Sequence, residues 1–377
     1  MRRLKVAHLT SVHHAFDVRI FRKQCTALSR AGNEVVLVAA HPQGGRYDGV
    51  TLHALRQPRG RLERMTRTAF HLFRAALRQR ADLYHVHDPE LLPWAQLLRM
   101  MGRRVVFDMH ENVPLALLTK AWIPAPLRRP LHLGYRAVER LLLSGLPVVF
   151  AEDSYGKHYP WVRRHVCVLN MPLASELTGI QEQKHARPTV GYLGSVTAQR
   201  GSAQTLEALG LLRARGLDVH FDCLGPAEAS HEARLRARAA QLGLSVHLPG
   251  RVPCAEGWRQ MARCHVGLAV LQAIPNYVES YPTKLFEYMA LGLPVVATGA
   301  PLYRSVVERF DCGRCVDPER PEQLADALEW LLGHPEEAAA MGARGRRAVL
   351  EHFSWEREFA KLHAFYAQLH PQPAGVA

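Results

Sequence analysis

The chain has 377 residues, of which 48% are apolar and 22% charged, and a net charge of +14. Those values exclude a disordered chain, and the length suits two domains better than one core. The longest apolar run, Leu141 to Ala151, is about half the roughly 20 residues of a spanning helix, so the composition argues against an integral membrane protein.

The charge is uneven. Residues 1–170 carry 27 Lys and Arg against 12 Asp and Glu, whereas residues 171–377 carry 21 against 22. A basic front half beside a neutral back half predicts two units with different partners. The start, MRRLKVAHLTSVHH, has histidines at 8, 13 and 14 that interrupt any signal-peptide core, and a cytoplasmic chain is expected. Seven scattered cysteines include one CxxC pair, Cys312 and Cys315, and no second pair completes a zinc site. For DCGRC a redox role stands against a tight loop closed by Gly313, and the loop is the better reading. The other cysteines read as reduced, packed thiols.

In chain order, LKVAHLT is an apolar run fit for a buried parallel strand and SVHHAF is a loop. Asp17 then caps a helix that runs to about Ser29 and is closed by Ala31-Gly32-Asn33. EVVLVAAHP is a second strand. Leu55 to Arg80 holds eight arginines and one glutamate, with helical apolar spacing at Phe70, Phe73 and Leu77. Three readings stay open for it: a solvated helix face, an anionic membrane surface, or nucleic acid. No nucleic-acid motif accompanies the charge, and a basic amphipathic helix suits an acidic leaflet better.

DLYHVHDP, RRVVFDMHE and LPVVFAEDS follow as strands with loops, and LLPWAQLLRMMG as a helix. Strands alternating with helices predict a parallel sheet covered on both faces. A stretch at 171–187 lacks periodicity and reads as a linker. A second cycle then begins with the strand PTVGYLGSV, the helix SAQTLEALGLLRARG, and the strand LDVHFDCLGP. It continues with the helix HEARLRARAAQLG and the strand SVHLPGRV, and ends in the strand-like pieces CHVGLAVLQ, LPVVATG and CGRCVDP. No short repeat appears, so the expected class is α/β with two doubly wound, Rossmann-like domains, 1–170 and 188–353. Ligands of such sheets sit outside the carboxyl ends of the strands, which points to a cleft between the domains.

The stretch VESYPTKLFEYMALGLPVVATG carries the chemistry. A helix beginning near Pro282 and ended by Gly292 presents backbone N–H groups and a positive dipole end, a seat for phosphate. Lys284 adds a full charge, and Glu279 and Glu287 can accept hydrogen bonds from sugar hydroxyls. Together they suit a nucleoside diphosphate joined to a sugar. Taken alone, a surface Glu–Lys pair is the blander account of the same residues.

The spacing of Glu279 and Glu287 ahead of ALGLPVVAT resembles the E-x7-E signature of family 4 retaining glycosyltransferases, which have the GT-B fold. TSVHHAFDVRIFRKQCTALSRAGNEVVLVA, DLYHVHDPELLP, VVFDMHENVP and SWEREFAKLHAFYAQL resemble further segments of one branch, in the same order. The last implies a closing helix in 354–377 that crosses back to the first domain. The resemblance implies His110 as the active-site histidine near the donor sugar, with Glu279 against the sugar and retention of configuration. Bottom-up, an imidazole at His110 can hydrogen-bond the sugar or stabilise developing charge. His87 and Asp88 also follow a strand, yet either can simply hold the loop.

GYLGSVTAQRG resembles the family's phosphate loop. Gly194 admits the ligand close to the backbone, Arg200 and Gly201 match the basic residue and glycine before the next helix, and Ser195 stands where an arginine is common. Lys284, Leu285 and Glu287 complete the donor set, with Arg251 and Val252 of HLPGRVP toward the nucleobase. The first loop lacks the family's Gly-Gly pair, so His13, His14 and Phe16 are assigned to the acceptor side, while Asp17 and Arg19 equally suit a helix cap and a packed salt bridge. No DxD motif is present, and no metal or other cofactor is expected beyond the nucleotide-sugar co-substrate. The expected function is sugar transfer to a glycan or lipid-linked precursor of a surface polysaccharide. It is set in the cytoplasm or peripherally on the inner membrane face, without nucleic acid. A sugar-nucleotide 2-epimerase of the same architecture and a non-catalytic scaffold subunit are the alternatives.

Overall fold

The structure is a computed structural model and describes residues 3–120 and 123–370. It divides into two compact units, Met1–Asn170 with Arg357–Ala377, and Met171–Glu356. Residues 171–187 pack as part of the second unit: the short helix Ala174–Leu177 lies there, and Lys184 Nζ donates to the carbonyls of Ala262 and Cys264. The closing helix, Trp355–Leu369, joins mostly the first unit.

The first unit is built on an eight-stranded sheet. Its strands are β1 (Lys5–Leu9), β2 (Glu34–Ala40), β3 (Gly45–Tyr47), β4 (Val50–Leu55), β5 (Leu83–Val86), β6 (Val105–Met109), β7 (Val148–Phe150) and β8 (His165–Cys167), in spatial order β3-β4-β2-β1-β5-β6-β7-β8. All pairs are parallel except β3–β4. That hairpin is absent from the sequence reading. Its two-residue turn, Asp48-Gly49, has φ of 47° and 82°, the left-handed geometry that matches strand twist.

Side chains alternate across the strands, and the two faces differ in chemistry. Ala7, Leu9, Tyr84, Val86, Phe107 and Met109 join one apolar core with the helices Ala69–Gln79 and Leu92–Met100. His8, His85 and Asp108, the intervening residues, are buried on the other face. Asp17 caps the helical segment that starts at Val18, its carboxylate accepting from the amides of Arg19 and Ile20 at 2.9 and 3.0 Å. In the arginine-rich segment Phe73 is buried as expected, but Phe70 is exposed, because the inward stripe runs through Ala69, Leu72, Phe73 and Ala76.

The second unit is a six-stranded parallel sheet of β9 (Thr189–Leu193), β10 (His220–Leu224), β11 (Val246–His247), β12 (Val266–Ala269), β13 (Val295–Thr298) and β14 (Gly313–Val316). Its order, β11-β10-β9-β12-β13-β14, is the doubly wound pattern that reverses direction between β9 and β12. Gly313 opens β14 instead of closing a loop. A Cβ there would lie 1.9 Å from the Val295 carbonyl oxygen, so the close strand approach requires glycine. All seven cysteines are free. Among the described residues no helix is long and apolar enough to cross a membrane.

Candidate functional site

In the second unit a pocket of about 420 Å³ opens at the switch point. Leu193 lines it from the end of β9, Gly194 and Arg200 from the segment after that strand, and Leu271 from the segment after β12. Tyr277 and Ser280 through Lys284 close it with Glu287 and Tyr303. The two strand-end segments are tied by the Gln272 amide donating to the Gln199 carbonyl at 2.9 Å. Gly201 has φ of +77° and could carry no side chain, since a Cβ would stand 2.0 Å from the Val270 carbonyl oxygen.

Lys284 lies in the first turn of the helix Thr283–Ala290 and is buried. Its Nζ donates to the Tyr192 hydroxyl at 3.0 Å and sits 4.5 Å from that ring's centroid. A Cβ built on Gly194 would be 3.3 Å from Lys284 Nζ and 3.4 Å from Arg200 Nη1, so two cations converge on bare backbone. Burial, with Arg200 beside it, pulls the Lys284 ammonium down to about 7, and Glu287 opposes the shift. Tyr192 donates to the Ser195 carbonyl at 2.8 Å, and burial pushes its phenol up to about 12. The arrangement can receive an anion: charge, helix dipole and exposed backbone meet at one place.

Of the residues assigned to the donor, Gly194, Arg200, Lys284 and Glu287 line this pocket. Gly201 packs against the Val270 carbonyl and is not among the lining residues. Ser195 and Glu279 are exposed outside its lining, although Tyr277 and Ser280 on either side of Glu279 belong to it. Leu285 is fully buried in the core. Arg251 is exposed and Val252 half-buried in the loop after β11.

The first unit gathers a buried polar cluster at the carboxyl ends of β1, β5 and β6. His110 Nε2 lies 3.2 Å from Asp108 Oδ2 and 3.2 Å from His87 Nδ1. His8 Nδ1 is 2.9 Å from His87 Nε2, and His85 Nδ1 meets the Tyr366 hydroxyl. Asp108 also accepts from Arg19 at 2.9 Å and Gln24 at 2.6 Å. Burial alone would raise its carboxyl, but Arg19 and His110 hold it well below the usual carboxylate range. Burial lowers His87 to about 3 despite its bond to Asp108, so its imidazole stays neutral.

Asp88 organises the loop after β1. Its Oδ2 accepts from the Thr10 hydroxyl at 2.9 Å and from the Ser11 and Val12 amides at 2.6 and 3.2 Å. His13 lies between Asp88 (3.5 Å) and Asp17 (3.7 Å), with its ring 4.9 Å from that of His110. Burial lowers its pKa, but the Asp17 hydrogen bond and the charge of Asp88 outweigh this and raise it overall. His13, His87, Asp88 and His110 are thus brought together. Phe16 packs edge-on against Phe21, His41 and Tyr47, and His14 is exposed beside it. Arg19 proves to be the buried partner of Asp108.

Among the described residues, two groups hold three ligand-type atoms within 4.8 Å of one another: His8, His85 and His87, and His87, Asp108 and His110. In the first, His8 Nδ1 and His87 Nε2 already face each other at 2.9 Å and His85 Nδ1 meets the Tyr366 hydroxyl. In the second, Arg19 and Gln24 already occupy the carboxylate. Tyr192, Asp108, His8 and His85 went unmarked in the sequence, although polar letters at alternate positions of buried strands (His85 and His87 above all) are a signal for them.

Two doubly wound α/β units, each with polar residues collected at the carboxyl ends of its strands, define a GT-B fold. Residues 18–152 match the glycosyl transferase 4-like domain and residues 176–348 the glycosyl transferases group 1, and the chain belongs to this family 4 type of glycosyltransferase. It is 24% identical to the MMP alpha-(1->4)-mannosyltransferase of Mycolicibacterium hassiacum and 28% identical to the D-inositol 3-phosphate glycosyltransferase of Arthrobacter sp. Each match covers 76% of this chain and 71% of the relative. Sucrose-phosphate synthase of Thermosynechococcus elongatus shares the fold with a TM-score of 0.78 at 17% identity, over 98% of this chain and 99% of that one. Anabaena HepE in complex with UDP and glucose does so with 0.72 at 14%, over 97% and 100%.

Proposed function

We propose that the chain transfers a hexosyl group from a nucleoside-diphosphate-sugar to a glycan or lipid-linked acceptor in surface polysaccharide synthesis, with retention. The convergence of Lys284 and Arg200 on Gly194 carries this reading. In the reaction the bond from the anomeric carbon to the β-phosphate oxygen breaks, and the acceptor oxygen bonds that carbon. The acceptor proton departs with the diphosphate. Lys284, Arg200 and the helix dipole offset charge that grows on the leaving group, the largest expected catalytic contribution. Glu287 is proposed for the sugar hydroxyls, Glu279 for the sugar, Arg251 and Val252 for the base, and His110 for the anomeric region. Two cations and a helix end make a metal unnecessary in this scheme.

Among the relatives are phosphatidyl-myo-inositol mannosyltransferases, whose name gives a lipid acceptor, and this supports a lipid-linked acceptor here. The same relatives and the basic first unit support a peripheral place on the inner membrane face. Calorimetry against UDP, GDP, ADP, dTDP and CMP, with their common sugars, tests the reading. UDP comes first because HepE holds it. One nucleotide should bind and stabilise the protein selectively; indifference to all would refute the donor assignment.

A further inference from the structure

The helix Ala125–Leu142 is amphipathic, yet its faces are reversed. At 100° per residue, Leu127, Leu131, Gly134, Val138 and Leu141 fall within about 40° of one line along it. That line looks outward: Leu127 is 52% exposed, Leu131 47%, Val138 56% and Leu141 73%. The side that faces the protein is polar at Glu139 and His132, while Arg129, Arg136 and Arg140 are exposed. Glu139 is buried and accepts from the Tyr159 hydroxyl at 3.1 Å, and His132 Nδ1 is 2.8 Å from the Pro114 carbonyl oxygen. The guanidinium groups of Arg136 and Arg140 lie 5.1 and 5.2 Å from the Trp161 ring centroid. A helix serving only to cover a core would bury these leucines.

We propose that the exposed apolar face of this helix inserts shallowly into an anionic lipid bilayer and seats the first unit on the membrane. The inference deepens the peripheral placement proposed above, by naming the surface that makes the contact. Charge selects the occupant. The helix carries Arg128, Arg129, Arg136 and Arg140 against the single acid Glu139, within a front half of 27 basic and 12 acidic residues. A second copy docking on the same face would set these basic surfaces against each other, whereas acidic headgroups neutralise them. With 18 residues the helix is about 27 Å long, enough for four large side chains to lie in the interfacial plane. A second basic surface, the groove of about 460 Å³ lined by Arg56, Arg67, Arg74 and Arg78, adds long-range attraction.

The test is flotation of the full chain with vesicles of phosphatidylglycerol and phosphatidylethanolamine, and with pure phosphatidylcholine. Binding should need the anionic lipid and fall at least tenfold in the double variant Leu131→Glu, Val138→Glu. Both residues are exposed and lie outside the donor pocket, so thermal midpoint and nucleotide binding should be unchanged in that variant. Vesicle binding that survives the double variant but is lost on Arg56→Ala, Arg74→Ala and Arg78→Ala would overturn the helix assignment and leave a membrane role standing. No vesicle binding by the unaltered chain would overturn both, while nucleotide binding would still stand or fall separately. A dimer in analytical ultracentrifugation that the double variant dissociates, with no vesicle binding, would identify a second copy as the occupant instead.

Discussion

Lys284 is held by a partner that cannot neutralise it. Its ammonium donates to the Tyr192 hydroxyl at 3.0 Å and lies 4.5 Å from the same ring's centroid, a contact with a π system and a neutral acceptor. A buried cation so placed keeps its charge available for an anion, at the cost of a lowered pKa.

The lowered pKa gives a pH dependence with a definite sign. Between about 7 and the ordinary 10.5, the unfolded chain holds a proton on this amine that the folded chain has lost. Raising the pH through that window therefore stabilises the free protein, and Lys284→Met should abolish this part of the slope. Binding a diphosphate restores the charge, so calorimetry at pH 8 in buffers of different ionisation enthalpy should register proton uptake. The variant should show none; identical heats in all buffers for the unaltered protein would refute the coupling.

Glu287 lines the same pocket. Replacing it with Ala should weaken donor binding by about 1–3 kcal/mol, roughly 5- to 150-fold, through lost hydrogen bonds. Titration of the sugar nucleotide checks this, and an unchanged affinity would remove Glu287 from the sugar site.

Asp108 and Arg19 are a buried pair, 6% exposed or less, with a 2.9 Å contact. Asp108→Asn leaves the guanidinium buried without its counter-charge and should cost about 3–5 kcal/mol in urea unfolding. His110→Ala leaves Arg19 and Asp108 paired, so it should spare most stability while lowering turnover. Equal loss of stability in both variants would assign His110 a structural part only.

Gly225 has φ of +151°, and a Cβ there would stand 1.9 Å from the Gly194 carbonyl oxygen. Gly225→Ala should push the Gly194 backbone away from Lys284 and Arg200, lowering both the thermal midpoint and donor affinity. Retained affinity would show that the position of Gly194 is immaterial to binding.

Glu139, buried in the reversed helix, is raised to about 7 by burial, with Tyr159 and Arg136 opposing. From about pH 4.5 to 7 the folded chain holds a proton here that the unfolded chain has lost, so stability present below 4.5 declines across the window. Glu139→Gln should flatten that decline in denaturant titrations at pH 5 and 8.

The parallel strands were legible because a strand buried on both faces reads as a short apolar run, as in EVVLVAA and LPVVAT. Four of the pocket residues were legible too: Lys284 and Glu287 because a lysine and an acid in a helix's first turns mark a seat for a phosphate and a sugar locally, Gly194 and Arg200 through the resemblance of GYLGSVTAQRG. The β3–β4 hairpin escaped although Asp48-Gly49 is a turn signal, because β3 is only three residues long and sits at the sheet edge.

The sequence by itself determined the alternation of strands and helices, the uneven charge, and the resemblance that orders them, because each is written in residues near one another along the chain. The tertiary structure alone decided which of 21 histidines share one face with Asp108, since that depends on the register of β1, β5 and β6. It alone also decided that the helix Ala125–Leu142 turns its leucines outward. Periodicity shows that a helix has two faces, and only its partners, here Tyr159 for the buried Glu139, settle which one is turned inward.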